Sequence, residues 1–293
     1  MKIYTYMQLI HIKRLIVENN LYIIMLTIEK LAIDPESISR KICDFIRRSV
    51  ESSGLKGVII AVSGGIDSAV VLGLAVNALG SDRVKTVTIP ERDITPDRDI
   101  TDVMQLTSQF NVTCDTVDIT EIIHNFEKSL PEYANSDQVT KGNLKPRIRM
   151  IVSYYYANKL NSMVIGSSNR TEYMTGYFTK YGDGGVDLMP LVSLYKSQIR
   201  QLAEYLNLPR NIIEKAPSAG LWPNQTDEGE IGLDYDNLDL ILYGREQGLT
   251  PRTISKELNL DISKVNAILD RVKRNEHKRH LPLILRLSSA SGK

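Results

Sequence analysis

Two cysteines in 293 residues, Cys43 and Cys114, stand far apart in the chain. That is too few for a disulfide framework or a four-thiolate zinc site, and it fits a reducing cytosol, so a cytoplasmic protein is expected. Neither sign of charge prevails: 36 Lys and Arg face 35 Asp and Glu, a formal net charge of +1. The chain as a whole therefore advertises neither a nucleic-acid partner nor a basic one. No long hydrophobic run reads as a membrane span. The stretch 19–28, "NNLYIIMLTI", is short, lies between Glu18 and Glu29, and has no small-residue cleavage site after it. The stretch 57–81 is long enough, but Ser-Gly-Gly breaks it and Asp67 sits in its middle, where a lone carboxylate in hydrocarbon is expensive. No internal repeat or low-complexity tract occurs. Residues 1–25 match nothing interpretable; residues 1–36 are read as an N-terminal extension of unknown function before a domain over 37–293, with Met25 an alternative start.

What remains is ordinary in bulk, 42% apolar and 24% charged, with length enough for a sizeable core. The information lies in the pattern. Residues 58–70 read "VIIAVSGGIDSAV". "GVIIAV" is short, β-branched and bounded by glycine, which predicts a fully buried strand. A helix is expected before it, over 37–52, and another after it, over 66–78, closed by Gly80. Strands follow at 83–90, 112–119 and 162–166, with helices at 96–110, 120–130 and 145–160. The polar stretch 131–142 reads as a mobile loop. Four strand–helix alternations predict a doubly wound α/β fold with a parallel sheet, and the C-terminal part reads as a helical extension with helices at 236–247, 251–258 and 261–275. In such sheets ligands bind at the carboxyl ends of strands, which is where Ser63-Gly64-Gly65 falls.

A strand feeding a helix through Ser-Gly-Gly outlines a phosphate cradle. Glycines let the backbone approach a ligand, and the free N–H groups of the first helical turn face an anion. Ser63 and Ser68 add hydroxyls. Asp67 would repel a phosphate unless a divalent cation joined them, and magnesium with oxygen ligands suits that place. The plainer reading is a tight turn in which Asp67 and Ser68 stabilise a helix start by roughly 1 kcal/mol. Neither a Walker loop nor a G-x-G-x-x-G turn is present. "SGGIDS" instead resembles the signature of the ATP pyrophosphatases, which cut ATP between its α and β phosphates.

Four further blocks narrow the resemblance. "KGNLKPRIRM" (141–150), "GSSNRTEYMTGYFTKYGDGGVDLMPLVSLYKSQIRQLAEYL" (166–206), "KAPSAGLWPNQTDEGEIGLDYDNLD" (215–239) and "EHKRHLP" (276–282) look like the NAD synthetase family, in the family's order. The resemblance implies a Rossmann-like, adenine nucleotide alpha hydrolase-like fold and a homodimer. It also implies a reaction: deamido-NAD is adenylated by ATP with loss of pyrophosphate, and ammonia then displaces AMP to leave NAD. By motif, ATP would meet Ala61, Val62, Ser63, Gly64, Gly65, Ile66, Asp67, Ser68, Ser167, Lys196 and Ser218. Asp67 and Glu172 would hold Mg2+. Arg147, Lys180, Asp187, His277 and Lys278 would meet deamido-NAD, and Asp187 would also take a proton from ammonium. Asp67, Glu172, Asp187 and Lys196 form the expected catalytic set. Each has a plainer reading: a helix-start acid for Glu172, a turn residue for Asp187, a solvated helix charge for Lys196, local caps for Ser167 and Ser218, and simple exposure for His277. The "GDGG" turn (182–185) would let backbone approach the substrate. Pro146 occupies a place where a small residue is expected.

Glutamine-dependent relatives carry an extra amidase domain with a catalytic cysteine. About 36 residues precede the first matching helix, and Cys43 falls on an apolar helical face, so free ammonia is the expected donor. Another reading within the class is a tRNA-modifying pyrophosphatase, disfavoured by the lack of paired cysteines; a nucleotide-binding module without catalysis is disfavoured by Glu172 and Lys196. Residues 249–279 resemble a helix-turn-helix, with eight Lys or Arg against four acids between 251 and 280, yet one such unit on a nearly neutral chain is a weak footprint for DNA. No nucleic-acid or membrane partner is expected. Six carboxylates and no base between 227 and 239 read as a mobile loop or lid with too many breakers upstream for a regular element.

Overall fold

The structure, a computed structural model, describes residues 25–285. After a short 3-10 turn, Ile28–Leu31, the first helix α1 runs Pro35–Ser53. Asp34 caps it by accepting a hydrogen bond from the Ser37 N–H, Pro35 takes the first-turn position that needs no N–H, and Gly54 ends it at φ 70°. Strand β1 (Gly57–Ala61) leads into α2 (Ile66–Leu79), then β2 (Val84–Thr88), α3 (Asp97–Gln109), β3 (Cys114–Thr116) and α4 (Thr120–Ser129). Next come α5 (Gln138–Gly142), α6 (Leu144–Leu160), β4 (Ser162–Ile165) and α7 (Arg170–Thr175). The remainder is helical: α8 (Lys196–Tyr205), α9 (Arg210–Ile213), α10 (Asp227–Ile231), α11 (Tyr235–Glu246), α12 (Pro251–Glu257) and α13 (Ile262–Arg274).

All four strands are parallel, in the order β3-β2-β1-β4. Strand β1 explains why its sequence is apolar throughout. Val58 and Ile60 pack with α1, α2 and α8 on one face, while Ile59 packs with Val87, Val164 and the helix residues Ile123 and Ile148 on the other. Successive side chains face opposite ways and both faces are covered, so no polar alternation survives. Chain order reverses at β1, with β2 on one side and β4 on the other. The crevice outside their carboxyl ends is the switch point where such sheets bind ligands. A separate core joins α11, α12 and α13 through Tyr235, Leu238, Ile241, Ile254, Val265 and Ile268.

The four strands lie where the sequence places them, each shortened at its ends. Two expectations fail. Residues 131–142 contain a 3-10 turn and α5, which Asp137 caps through the Thr140 N–H at 2.9 Å. The acidic run is not a loop either: Thr226 caps α10 through the Gly229 N–H, and Asp234 caps α11 through Asn237. Its acids favour helix starts, because carboxylates complement the positive end of a helix. Pro146 sits in the first turn of α6, where its missing N–H costs nothing. Cys43 is core, as expected, its thiol donating to the Leu74 carbonyl at 3.4 Å. Residues 1–24 lie outside the described residues, and with them part of the 19–28 segment. Residues 26–33 pack on the body. Leu26 and Leu31 join the C-terminal core, and the Ile33 N–H donates to Gln201 Oε1 at 3.0 Å. Among the described residues no helix is long and apolar enough to cross a membrane.

Candidate active site

The loop after β1 supplies the floor of the site. Gly64 has φ +76°, and a Cβ there would meet the Asp99 carbonyl oxygen at 2.7 Å, so only glycine fits. Gly65 stands at the cap position of α2, whose first-turn N–H groups face outward from the sheet end. The hydroxyl of Ser68 donates to the Gly65 carbonyl at 3.0 Å and receives the Ser63 N–H at 3.3 Å, folding the loop back on its helix. Asp67, in the first turn of α2, extends over this floor.

Opposite, the loop after β4 starts α7 with a reciprocal cap. Asn169 Oδ1 accepts the Glu172 N–H at 3.0 Å, and Glu172 Oε2 accepts the Asn169 N–H at 3.2 Å. The amide of Asn169 also donates to Asp67 Oδ1 at 2.9 Å, which links the two strand ends. Lys196, at the start of α8, completes the group. Its Nζ donates to Asp67 Oδ2 at 2.5 Å, lies 3.5 Å from Glu172 Oε1, and sits 4.9 Å from the centre of the Tyr235 ring. Asp239, fully buried, holds the start of α8 by accepting the Ser197 N–H at 2.8 Å and the Thr171 hydroxyl at 2.5 Å.

Asp227 brings a third carboxylate. It is 4% exposed; Oδ2 accepts the Tyr235 hydroxyl at 2.8 Å, and Oδ1 has no partner. The Tyr235 hydroxyl also reaches Glu172 Oε1 at 3.4 Å. Three carboxylates thus surround one ammonium. Burial, and then the charge of Asp67, push Glu172 up to about 8. Burial raises Asp227, and burial with the Glu172, Asp227 and Asp67 charges raises Tyr235, which stays a proton donor. For Lys196 the nearby Asp67 and Glu172 charges outweigh burial and hold its pKa above normal. An oxygen-rich, under-neutralised donor set of this kind fits a hard divalent cation. Among the described residues no three such ligands stand close enough to hold an ion unaided, so Asp67 and Glu172 could supply only part of a metal's ligand set.

These groups line a cleft of about 280 Å³ that holds the Ser63–Ser68 loop, Asp67, Glu172, Lys196 and Asp227. It opens into a second chamber of about 750 Å³, lined by Phe178, Thr179, Trp222, Arg271, Arg274 and Lys278 among others. Ala61, Ser63, Ser167, Asp183 and Ser218 border both. Val62, Ile66 and Ser68 lie against the first alone. The predicted nucleotide residues therefore converge, Gly64 contributing backbone only.

The second predicted set divides. Lys278 lines the large chamber, its Nζ donating to the carbonyls of Gly176 and Phe178 at 2.7 and 2.9 Å. Arg147, Lys180 and His277 form a chain on the exposed surface instead. Arg147 donates to the Lys180 carbonyl at 3.3 Å, and Lys180 Nζ to the His277 carbonyl at 2.7 Å. All three lie outside the lining of both chambers. Asp187 stands apart from the chambers. Its carboxylate accepts the Val164 N–H at 2.8 Å and the Tyr154 hydroxyl at 2.9 Å, which ties the edge of β4 to α6, and it borders neither chamber. The acid that does face the junction is Asp183, four residues earlier in the same "GDGG" turn. Its Oδ1 accepts the Thr179 N–H at 2.8 Å, and although its surface is open to the cleft the enclosing walls raise its carboxyl. Arg149 borders both chambers with it. Sequence reasoning did not single out Asp183, treating that turn as backbone only, nor Asp227, which it placed in a mobile loop or lid. The basic helix of the helix-turn-helix-like segment is α13; it packs on α7, with Arg271 donating to the Thr175 carbonyl at 3.2 Å and Arg274 lining the large chamber.

The NAD synthase family model matches residues 38–282. The chain belongs to the NAD synthase family. Curated members include the NH(3)-dependent NAD(+) synthetase of Methanosarcina mazei, 45% identical over 249 residues that cover 85% of this chain and 97% of that protein. The one from Archaeoglobus fulgidus is 44% identical over 252 residues, 86% and 97% of the two chains. Among solved structures, NMN synthetase from Francisella tularensis superposes with a TM-score of 0.76 at 35% identity, covering 87% of this chain and all of the other. NH3-dependent NAD synthetase from Campylobacter jejuni gives 0.73 at 34%, with the same coverage. Membership of an ATP-using family of this kind implies a divalent metal.

Proposed function

We propose that the protein converts deamido-NAD to NAD, using ATP and free ammonia and releasing AMP and pyrophosphate. The observation that carries this reading is the meeting of two chambers at one junction. The phosphate loop, Asp67, Glu172 and Lys196 lie on one side, and a roomy, partly aromatic chamber on the other. A nucleotide held in each brings a carboxylate to an α phosphate, and holding two reactants in line removes most of the entropic barrier. Free ammonia as donor is supported by the names of the curated relatives.

In the first half-reaction a carboxylate oxygen of deamido-NAD bonds to the α phosphorus of ATP, and the bond to the bridging oxygen breaks to release pyrophosphate. Loop N–H groups, the Ser63 and Ser68 hydroxyls and Lys196 bind the leaving phosphates, while Ser167 and Ser218 orient the nucleotide across the junction. Asp67 and Glu172 would hold Mg2+, which when bound offsets the negative charge of the phosphates. In the second half-reaction ammonia nitrogen bonds to the activated carbonyl carbon, the bond from that carbon to the phosphate oxygen breaks so that AMP leaves with the electron pair, and the proton shed by nitrogen passes to solvent. Asp183, its carboxyl raised by enclosure, accepts the proton from ammonium and so supplies the nucleophile. Lys278, Arg149 and the Arg271–Arg274 pair give the second chamber a cationic wall for an anionic dinucleotide. Arg147, Lys180 and His277 extend that cationic surface outward. They reach substrate if a second copy of the chain brings it to them. A homodimer is supported by the exposed apolar residues Phe126 on α4, Leu130 just after it, and Ile151 and Tyr155 on α6. The cysteine content supports a cytoplasmic setting.

Purified protein with Mg-ATP, ammonium and deamido-NAD is expected to release pyrophosphate and AMP in equal amounts with NAD. Pyrophosphate release indifferent to deamido-NAD would overturn the proposal. A second acceptor belongs in the same assay: the likeness to an NMN synthetase favours testing the deamido mononucleotide. A higher kcat/KM for the mononucleotide would shift the assignment to that substrate.

A further inference from the structure

Lys215 lies in the cleft beside the phosphate loop, and the function just described gives it no role. Its side chain is 13% exposed, and its Nζ has three partners: the Gly64 carbonyl at 2.8 Å, Asp99 Oδ1 at 2.9 Å and Asp102 Oδ2. Two of its three donors are hydrogen-bonded, to Gly64 and Asp99, and the Asp102 contact is an ion pair, so these groups hold the ammonium against the loop and α3. Asp102 is itself fixed, 6% exposed and receiving the Asn211 amide at 2.6 Å. Lys215 therefore bridges three separated parts of the chain: the phosphate loop, the first turns of α3, and the segment leading to Ser218.

The peptide between Gly64 and Gly65 has its carbonyl on one side and its N–H on the other. A Gly64 residue at φ +76° is free of Cβ strain, so its peptide orientation depends on what the carbonyl meets. We propose that Lys215 is a positioning residue for this peptide: it draws the Gly64 carbonyl toward α3 and so holds the Gly65 N–H, which donates to Ser63 Oγ in a long 3.4 Å contact, on the side from which it can turn to the β and γ phosphates. Without the ammonium, the carbonyl is free to turn toward the cleft, where its negative end repels an anion. This inference rests on the ATP-site reading above.

The test measures direct binding of ATP, inorganic pyrophosphate and AMP to wild type, Lys215→Met and the double variant Lys215→Met/Asp102→Asn. The double variant removes the buried carboxylate stranded by loss of the lysine, and thermal unfolding checks that both fold. Wild type is expected to bind ATP and pyrophosphate; failure to do so would sink the ATP-site reading itself. Given that binding, both variants are expected to weaken ATP and pyrophosphate at least tenfold and to hold AMP within twofold, since AMP lacks the phosphates the loop addresses. Equal weakening of all three ligands, or ATP and pyrophosphate within twofold of wild type, would overturn the role assigned to Lys215.

Discussion

At the scale of single residues, two aspartates four positions apart meet different surroundings. Asp187 ties β4 to α6; Asp183 faces the junction of the chambers. Asp183→Asn is expected to lower kcat about 100-fold at neutral pH, the low end of what a general base contributes. Part of the loss should return as pH rises and solvent deprotonates more of the ammonium, which steady-state assays across pH would detect. Asp187→Asn should keep kcat within a few fold and lose about 1–2 kcal/mol of stability in urea titrations, the worth of charge-assisted hydrogen bonds. Glu172 gives a pH dependence with a definite sign. Its pKa rises from the usual 4.5 to about 8 on folding. Between those values the folded state holds the extra proton, so this group's contribution to stability falls as pH increases, by at most about 1.4 kcal/mol per unit. Denaturation of metal-free, nucleotide-free protein at pH 5 and pH 8 should show that slope, and Glu172→Gln should flatten it. The loop motif was legible because a turn between strand and helix declares itself locally, whereas Glu172 and Lys196 came into view only through the resemblance of their block to the family. Asp183 and Asp227 were not legible, because nothing in a short polar stretch tells which acid faces a cavity.

At the scale of elements, strands and long helices followed from periodicity, whereas short helices escaped it. α5 and α10 have five residues each, little more than one turn, so no stripe can form. α10 starts on the local Thr226 cap, and Asp227 is then pinned by Tyr235 from the next helix, eight residues on, a contact whose geometry the sequence pattern does not display. Tyr235→Phe should leave Asp227 buried with neither oxygen bonded to that hydroxyl. A loss of about 1–3 kcal/mol is expected, together with a weaker affinity for Mg-ATP because α10 forms part of the cleft wall. Thermal unfolding and nucleotide titration of the same variant measure both effects.

For the molecule as a whole, the α/β class and the parallel order were readable from strand–helix alternation, but the partnership between the two ends of the chain was not. Leu31, 2% exposed, sits in the core formed by α11 to α13, more than 200 residues away in sequence. Leu31→Ala should cost about 2–4 kcal/mol, as for other large-to-small changes in a packed core, and a lowered unfolding midpoint would register it. Assembly is a separate matter at this scale. Ile151→Asp combined with Tyr155→Asp should yield a monomer by light scattering if α6 forms the contact between copies, with little change in monomer stability since both side chains are largely exposed. The two chambers also bear on inhibition. Because they share a wall rather than lying on separate faces, a single tethered compound with one arm against the phosphate loop and the other near Trp222 would experience a high effective concentration of its second arm. It should outbind either fragment by orders of magnitude without any new contact.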